Sequence, residues 1–397
     1  MSFGAIPKDT RNVVLGAGPL SIGLGFYQVA VAVFLPLEGI SVTNLGILLT
    51  TIGLTTVVFS IPFAILSDRY GRKEIMLAGS ILSAIVIMIP GLSSNFPILE
   101  TSAVVGGAGQ AMYIGTWNAY LADTTTHEVR PETFSLSFMT FTITGGIGAY
   151  LPAFFPLFRT DLLTAHRITF IALGLVSSLT AFTVHRWAIK ARPVSSRKGI
   201  LPRKSLGIII KFSAANLLIG LGAGLIIPLI PTWFFLRFGL TDVFSGPLIA
   251  SSNIIMGLTA VAAPRVARRV GLVNGIVITQ AASTVFLLAI PFCSTGILAG
   301  IFYVIRAVLM NMASPLSDTF LMSMIAADER ATASSFNAVL WTLPNAGSTA
   351  VGGSLLNNGE LSLPFYLCGT LYITSIMLFY SIFRKSARPS PGNQPVT

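Results

Sequence analysis

Apolar residues in this chain come in runs of about twenty or more, separated by short polar punctuation. They do not alternate with a period of 3.6 or 2, as they would in half-buried elements of a soluble domain. A run that is apolar on every side suits a medium that is apolar on every side, and about 20 helical residues cross a ~30 Å hydrocarbon core. Bounded by charges, Pro/Gly turns and polar clusters, twelve runs are predicted to span. In the first half they are 12–36, 44–66, 74–93, 98–122, 133–155 and 166–186; in the second, 207–233, 243–264, 272–291, 295–325, 331–356 and 362–383. The first run is too long for the apolar core of a cleavable leader, so it reads as a retained span. The tenth is too long for a simple span and is expected to extend into the cytoplasm.

Composition agrees. Charged residues are 10% of the 397, against roughly 25% in soluble domains, and AVILMFWYC make up 53%. This is not the composition expected of a soluble globular enzyme. The net charge of +11 would be gathered on one wet surface in a nucleic-acid binder, but here it is scattered between the apolar runs, so no nucleic-acid partner is expected. With the N-terminus inside, 21 Lys/Arg fall in cytoplasmic segments and 3 (Arg159, Arg167, Arg237) on the opposite face, leaving Arg306 within a span. Basic loops stay inside, so both termini are predicted to be cytoplasmic. The stretch from 185 to 205, HRWAIKARPVSSRKGILPRKS, reads as a basic cytoplasmic linker. The predicted division is 1–186, a linker at 187–206, 207–384, and a tail at 385–397.

The halves share punctuation at a displacement of 200 residues: Gly46 with Gly246, Arg69 with Arg269, Gly71 with Gly271, and Glu128 and Arg130 with Asp328 and Arg330. Two six-helix bundles in the same orientation are the simplest reading. Such parallel repeats place a substrate near the bilayer midplane and give alternating access by rocking.

Between the second and third spans lies Ala64-Ile-Leu-Ser-Asp68-Arg69-Tyr70-Gly71-Arg72-Lys73. Gly71 permits a tight reversal, and Arg69, Arg72 and Lys73 hold the loop inside. The segment resembles the G-x-x-x-D-R-x-G-R-K/R loop of the major facilitator superfamily, with Ala64 at the first glycine. The resemblance implies an all-α membrane protein of twelve transmembrane helices in two six-helix bundles. It also implies a cytoplasmic gate at Asp68, Arg69, Gly71, Arg72 and Lys73, and resemblance to multidrug-type members implies efflux. Gly106-Gly107-Ala108-Gly109 in the fourth span and Gly145-Gly146-Ile-Gly148 in the fifth read as close-packing helix surfaces.

Polar side chains within the spans are the candidates for substrate or coupling. Arg306 lies about eleven residues into the tenth span, roughly 16 Å deep at 1.5 Å per residue. A charge there should face a cavity or a partner. Asn311 and Asp318 follow on the same helix, with Asp318 near its cytoplasmic end. Gln28, Tyr113, Trp117 and Asn118 are candidates in the first half. Asn337, Trp341 and Asn345 recur every four residues on the eleventh span, and Pro344 marks a place where that helix could break and expose backbone groups. His127, His166 and His185 sit at predicted loop boundaries without metal spacing, so neither a metal nor a cofactor is expected, and no enzyme activity. The expected partners are a small-molecule substrate, a coupling proton compatible with but not established by the sequence, and the lipid bilayer; a monomer suffices. Efflux of hydrophobic or amphipathic compounds is the leading reading. Uptake or exchange of a small organic anion at Arg306 and a non-transporting membrane receptor are its rivals.

Overall fold

The computed structural model describes residues 3–126, 128–189, 205–259, 269–325 and 330–384. Most of the basic linker, His127, and Asp328 of the repeat lie outside the described residues.

Among the described residues, twelve long helices follow one another: α1 Lys8–Leu37, interrupted at Gly16 and Ala17, α2 Val42–Tyr70, α3 Arg72–Leu92, α4 Phe96–Asp123, α5 Arg130–Tyr150, α6 Leu162–Trp187, α7 Leu206–Phe238, α8 Asp242–Thr259, α9 Leu272–Ala289, α10 Gly296–Met324, α11 Arg330–Asn357 and α12 Leu363–Phe383. Among the same residues there is no strand, and nine of these helices are long and apolar enough to cross a membrane. The other three are α4 and α11, which carry more amide, hydroxyl and glycine positions, and α8, of which 18 residues are described.

Local signals set the helix ends. Ser41, Asp161 and Thr295 accept the backbone N–H three residues on, capping α2, α6 and α10. Gly71, at φ +112°, ends α2 and opens directly into α3. Gly271, 200 residues later, precedes α9 at φ +82°. Both positions use left-handed backbone that only glycine adopts cheaply, so the repeat read from the sequence is matched in local geometry.

The chain divides into two compact units. The first comprises Met1–Ser196, Pro228–Ser251 and Thr349–Gly359; the second comprises Arg197–Ile227, Ser252–Ser348 and Glu360–Thr397. We call the face where α1 ends distal and the face where it begins proximal.

In the first unit, α1 to α6 pack through small residues. A side chain at Gly25 would run into the Gly145 backbone, and one at Gly148 into the Ile22 carbonyl, so α1 and α5 touch nearly backbone to backbone. Gly106, Gly107 and Gly109 seat α4 against Val86, Ile52 and Ser83, as close-packing surfaces should. Phe26, Phe34, Phe155 and Phe170 form an aromatic cluster beneath the distal face.

The same unit takes in the distal ends of α7, α8 and α11. Thr232 on α7 donates its hydroxyl to the Ala32 carbonyl on α1 at 2.5 Å. Gly246 on α8 lies against the Ala149 carbonyl of α5. Gly353 on α11 meets Gly46 on α2, and the first N–H of α2, at Val42, is satisfied by Asn357 Oδ1 at 3.1 Å.

The second unit is built on α9, α10, α12, the proximal part of α7 and α11 as far as Ser348. Its core joins Phe212, Phe320, Phe379 and Phe383, with Phe320 edge-on to Phe383 at 5.0 Å. The expected break in α11 at Pro344 is not there: the helix runs through it. Asn345 instead donates its side-chain amide to the Gly220 carbonyl of α7 at 3.3 Å. The break falls in α7, where a 3-10 turn over Ile227–Leu229 precedes a fresh helix at Ile230–Phe238. Pro228 and Pro231 each remove a ladder donor there, and the boundary between the units passes between Ile227 and Pro228.

Candidate functional site

At the proximal end of the first unit, Arg72 is the hub of the predicted loop motif. Its Nη1 lies 2.6 Å from Asp68 Oδ1, one turn back, and donates to Ser67 Oγ at 3.0 Å. Its Nε lies 2.6 Å from Asp123 Oδ2 at the end of α4. A guanidinium suits this role because it offers several donors in a fixed plane. Asp68 is 57% exposed at the side chain and Asp123 only 14%, so the pair to Asp123 is the better shielded. Arg69 is exposed, its guanidinium 5.6 Å from the Tyr70 ring centroid, and Lys73 sits half-buried on the first turn of α3. Any side chain at Gly71 would meet the Glu74 carboxylate. The loop thus ties the ends of α2, α3 and α4 together through Asp68, Arg72 and Asp123. Asp123 was not singled out from the sequence.

At the distal end of the same unit lies a feature that sequence reading missed. His166, placed at a loop boundary by the hydropathy pattern, is fully buried in the second turn of α6. Its Nε2 is 2.7 Å from Oδ2 of Asp242, the equally buried first residue of α8. Phe155 and Phe34 flank the imidazole, with ring centroids at 4.7 and 5.3 Å. Next to it, Arg167 grips Glu38 with two nitrogens, at 2.8 to 3.2 Å. Burial works to raise the Glu38 carboxyl, but hydrogen bonds from Arg167 and Ser94 and the charges of Arg167 and His166 outweigh it and hold Glu38 below the usual carboxylate range. The signal available in the sequence was the placement of an acid and an imidazole at the starts of two spans on one predicted membrane face.

In the second unit, Arg306 is 5% exposed and donates from Nη2 to the Tyr372 hydroxyl at 2.8 Å. Its backbone carbonyl accepts from Ser283 Oγ at 2.9 Å, while its Nε is buried with no hydrogen-bond partner among the described residues. Asn337 accepts from Asn216 Nδ2 at 2.8 Å, pairing α11 with α7. Trp341 is 38% exposed. Asn311 is exposed and donates to the Ala307 carbonyl one turn back, and Asp318 is exposed further along α10.

Of the first-half candidates, Gln28 and Asn118 are exposed. Tyr113 and Trp117 are buried, their rings 5.4 Å apart, and Trp117 Nε1 donates to Ser137 on α5 at 2.8 Å. Trp117 thereby joins α4 to α5. A void of about 240 Å³ in the first unit is bordered by Tyr27, Ser83 and Gln110, and one of about 210 Å³ in the second by Asn216, Gln280 and Ser317.

The sequence profile of the Major Facilitator Superfamily matches residues 13–349, most of the chain. The chain belongs to this family. It is therefore a multi-pass membrane protein of a transporter family whose members bind small molecules, with the twelve-helix fold described above. Among relatives, a segment of 116 residues is 34% identical to the inner membrane transport protein YajR of Escherichia coli K12, covering 29% of this chain and 25% of that protein. Another, of 138 residues, is 28% identical to multidrug resistance protein 2 of Bacillus subtilis 168, covering 34% of each. The matched segments thus span about a quarter to a third of these relatives. A crystal structure of a point mutant of the nucleoside transporter NupG superposes with a TM-score of 0.78 over 95% of this chain and all of that one, at 12% identity. At that identity the likeness is one of fold.

Proposed function

We propose that this family member exports small hydrophobic or amphipathic compounds across the cytoplasmic membrane by alternating access, with both termini cytoplasmic. In this reading residues 1–186 and 207–384 are the two six-helix bundles, joined by the basic linker 187–206 and followed by a short tail. The observation that carries it is the exposure of Gln28 midway along the apolar run Gly18–Leu37 of α1 in the first unit. An exposed amide at that depth is costly in lipid and belongs on a watery passage. Within the first unit Asn118 would likewise meet the compound, with Tyr113 and Trp117 behind it; within the second unit Asn311, Asp318, Asn337 and Trp341 are the candidates. The likeness of a segment to a multidrug resistance protein supports drug-like compounds as the cargo. Asp68, Arg72 and Asp123, with Arg69, Gly71 and Lys73 beside them, would form the cytoplasmic gate.

Arg306 supports a second reading, transport of a small organic anion, because this buried cation has a hydroxyl instead of an acid beside it. Flux of lipophilic cations and organic anions in liposomes, with and without a pH gradient, separates the two. Efflux is expected to survive Arg306→Gln. Anion flux that disappears with that substitution would establish the second reading. Binding without flux of any compound would sink both and leave a receptor.

A further inference from the structure

The contacts of His166 fix how many protons it shares with Asp242. Nδ1 lies 2.8 Å from the Leu162 carbonyl, which can only accept, so Nδ1 carries a hydrogen. Nε2 lies 2.7 Å from Asp242 Oδ2, and a bond there needs one more proton. On Nε2 it gives an imidazolium facing a carboxylate; on Oδ2 it gives a carboxylic acid donating to the imidazole lone pair. Both forms hold the same number of protons and have no net charge.

Removing that proton would set a lone pair against a bare carboxylate, a net negative charge in a site with no solvent exposure. Such a group is expensive to keep buried. Nothing nearby on α8 offsets it: Asp242 Oδ1 and Ser245 Oγ, one turn on, are buried with no hydrogen-bond partner among the described residues. The other charged groups on the packed elements do not offset it either. Glu38, just past the end of α1, is engaged by Arg167, Asp161 caps α6 in solvent, Arg159 and Arg237 are exposed, and the turn Leu151–Phe158 has no titratable side chain.

We infer that His166 and Asp242 form a proton-operated latch that fastens α8 to the first six helices at the distal face. Closing takes up one proton from the distal side: neutral imidazole, carboxylate and H⁺ combine into the neutral pair. Opening gives the proton back as the two side chains separate into water. The functional sense of this rests on the alternating-access reading, in which external acid would drive the outward-open protein shut behind its cargo. The sign follows from proton counting. Above about pH 7 an exposed imidazole is neutral and an exposed carboxylate ionised, so the closed form holds one proton more. The open-to-closed ratio should then rise roughly tenfold per pH unit.

The test is a distance measurement that needs no substrate. Spin labels at Thr160→Cys and Arg237→Cys, both exposed, report separation across the distal face by pulsed electron resonance in lipid nanodiscs, the native Cys293 and Cys368 being buried. The longer-distance population is expected to grow from pH 6 to pH 8.5. Asp242→Asn should stay closed throughout, because its amide N–H can donate to the Nε2 lone pair with no added proton. His166→Gln should favour the open form, because Asp242 then has no imidazole with which to share a proton. A wild-type distribution that does not move with pH overturns the latch, as does an Asp242→Asn protein that follows pH as the wild type does. Flux in liposomes is read separately: a responsive distance without flux would remove the transport reading and leave the latch, whereas flux with an unresponsive distance would do the reverse.

Discussion

Arg72 sits between two carboxylates of different quality. Asp68 is on its own loop and mostly in water, where an ion pair contributes about 0–1 kcal/mol. Asp123 is mostly shielded and arrives from another helix, 51 residues away, where a hydrogen bond to a charged group contributes about 1.5–3 kcal/mol. Asp123→Asn is therefore expected to lower thermal stability and transport more than Asp68→Asn, by scanning fluorimetry and by flux on the same preparations. Equal effects would show that the loop acts only as a topological anchor. The motif itself was legible because its residues are contiguous and their spacing sets a short reversal. Asp123, His166 and Asp242 were not, since each acquires its role from a partner 51 or 76 residues away, and a hydropathy pattern records depth without recording which helix stands alongside.

Helices were the most readable level, because a membrane demands a continuous apolar run and an internally satisfied backbone. The twelve expected segments correspond to the twelve helices, with Gly71 and Gly271 marking equivalent corners in the two halves. Which proline interrupts its helix was not readable. Pro344 is accommodated within α11, where Asn345 and Gly220 bond across to α7, whereas Pro228 and Pro231 act together and α7 turns 3-10 between them. The pairing of α1 with α5 was only half visible: the glycines of α5 announced close packing, but Gly25 and Ile22 on the other side did not announce themselves. Because a Cβ at Gly148 would strike the Ile22 carbonyl, Gly148→Leu should force α1 and α5 apart. Its expected result is a sharp loss of folded protein in the membrane, measured by fluorescence-detected size exclusion, while Gly146→Leu, with open space around it, is tolerated.

Across the molecule, family and fold were written in the apolar runs and the basic loop, while the cargo was not, because an exposed amide such as Gln28 marks a wet surface without naming what passes it. The distal contacts of the first unit leave a different kind of signature. At Ala32 with Thr232, Gly46 with Gly353, and Ala149 with Gly246, what meets is main chain or a small side chain, so the fit depends on thickness and hardly on chemistry. A Cβ on Gly353 would come within 2.6 Å of the Val42 carbonyl and 2.9 Å of Gly46 Cα. Gly353→Val would then act as a wedge, holding the distal labels in the longer-distance population at every pH. Such a jammed protein would present only one doorway, and a ligand offered from that side could be captured in place and identified from the complex.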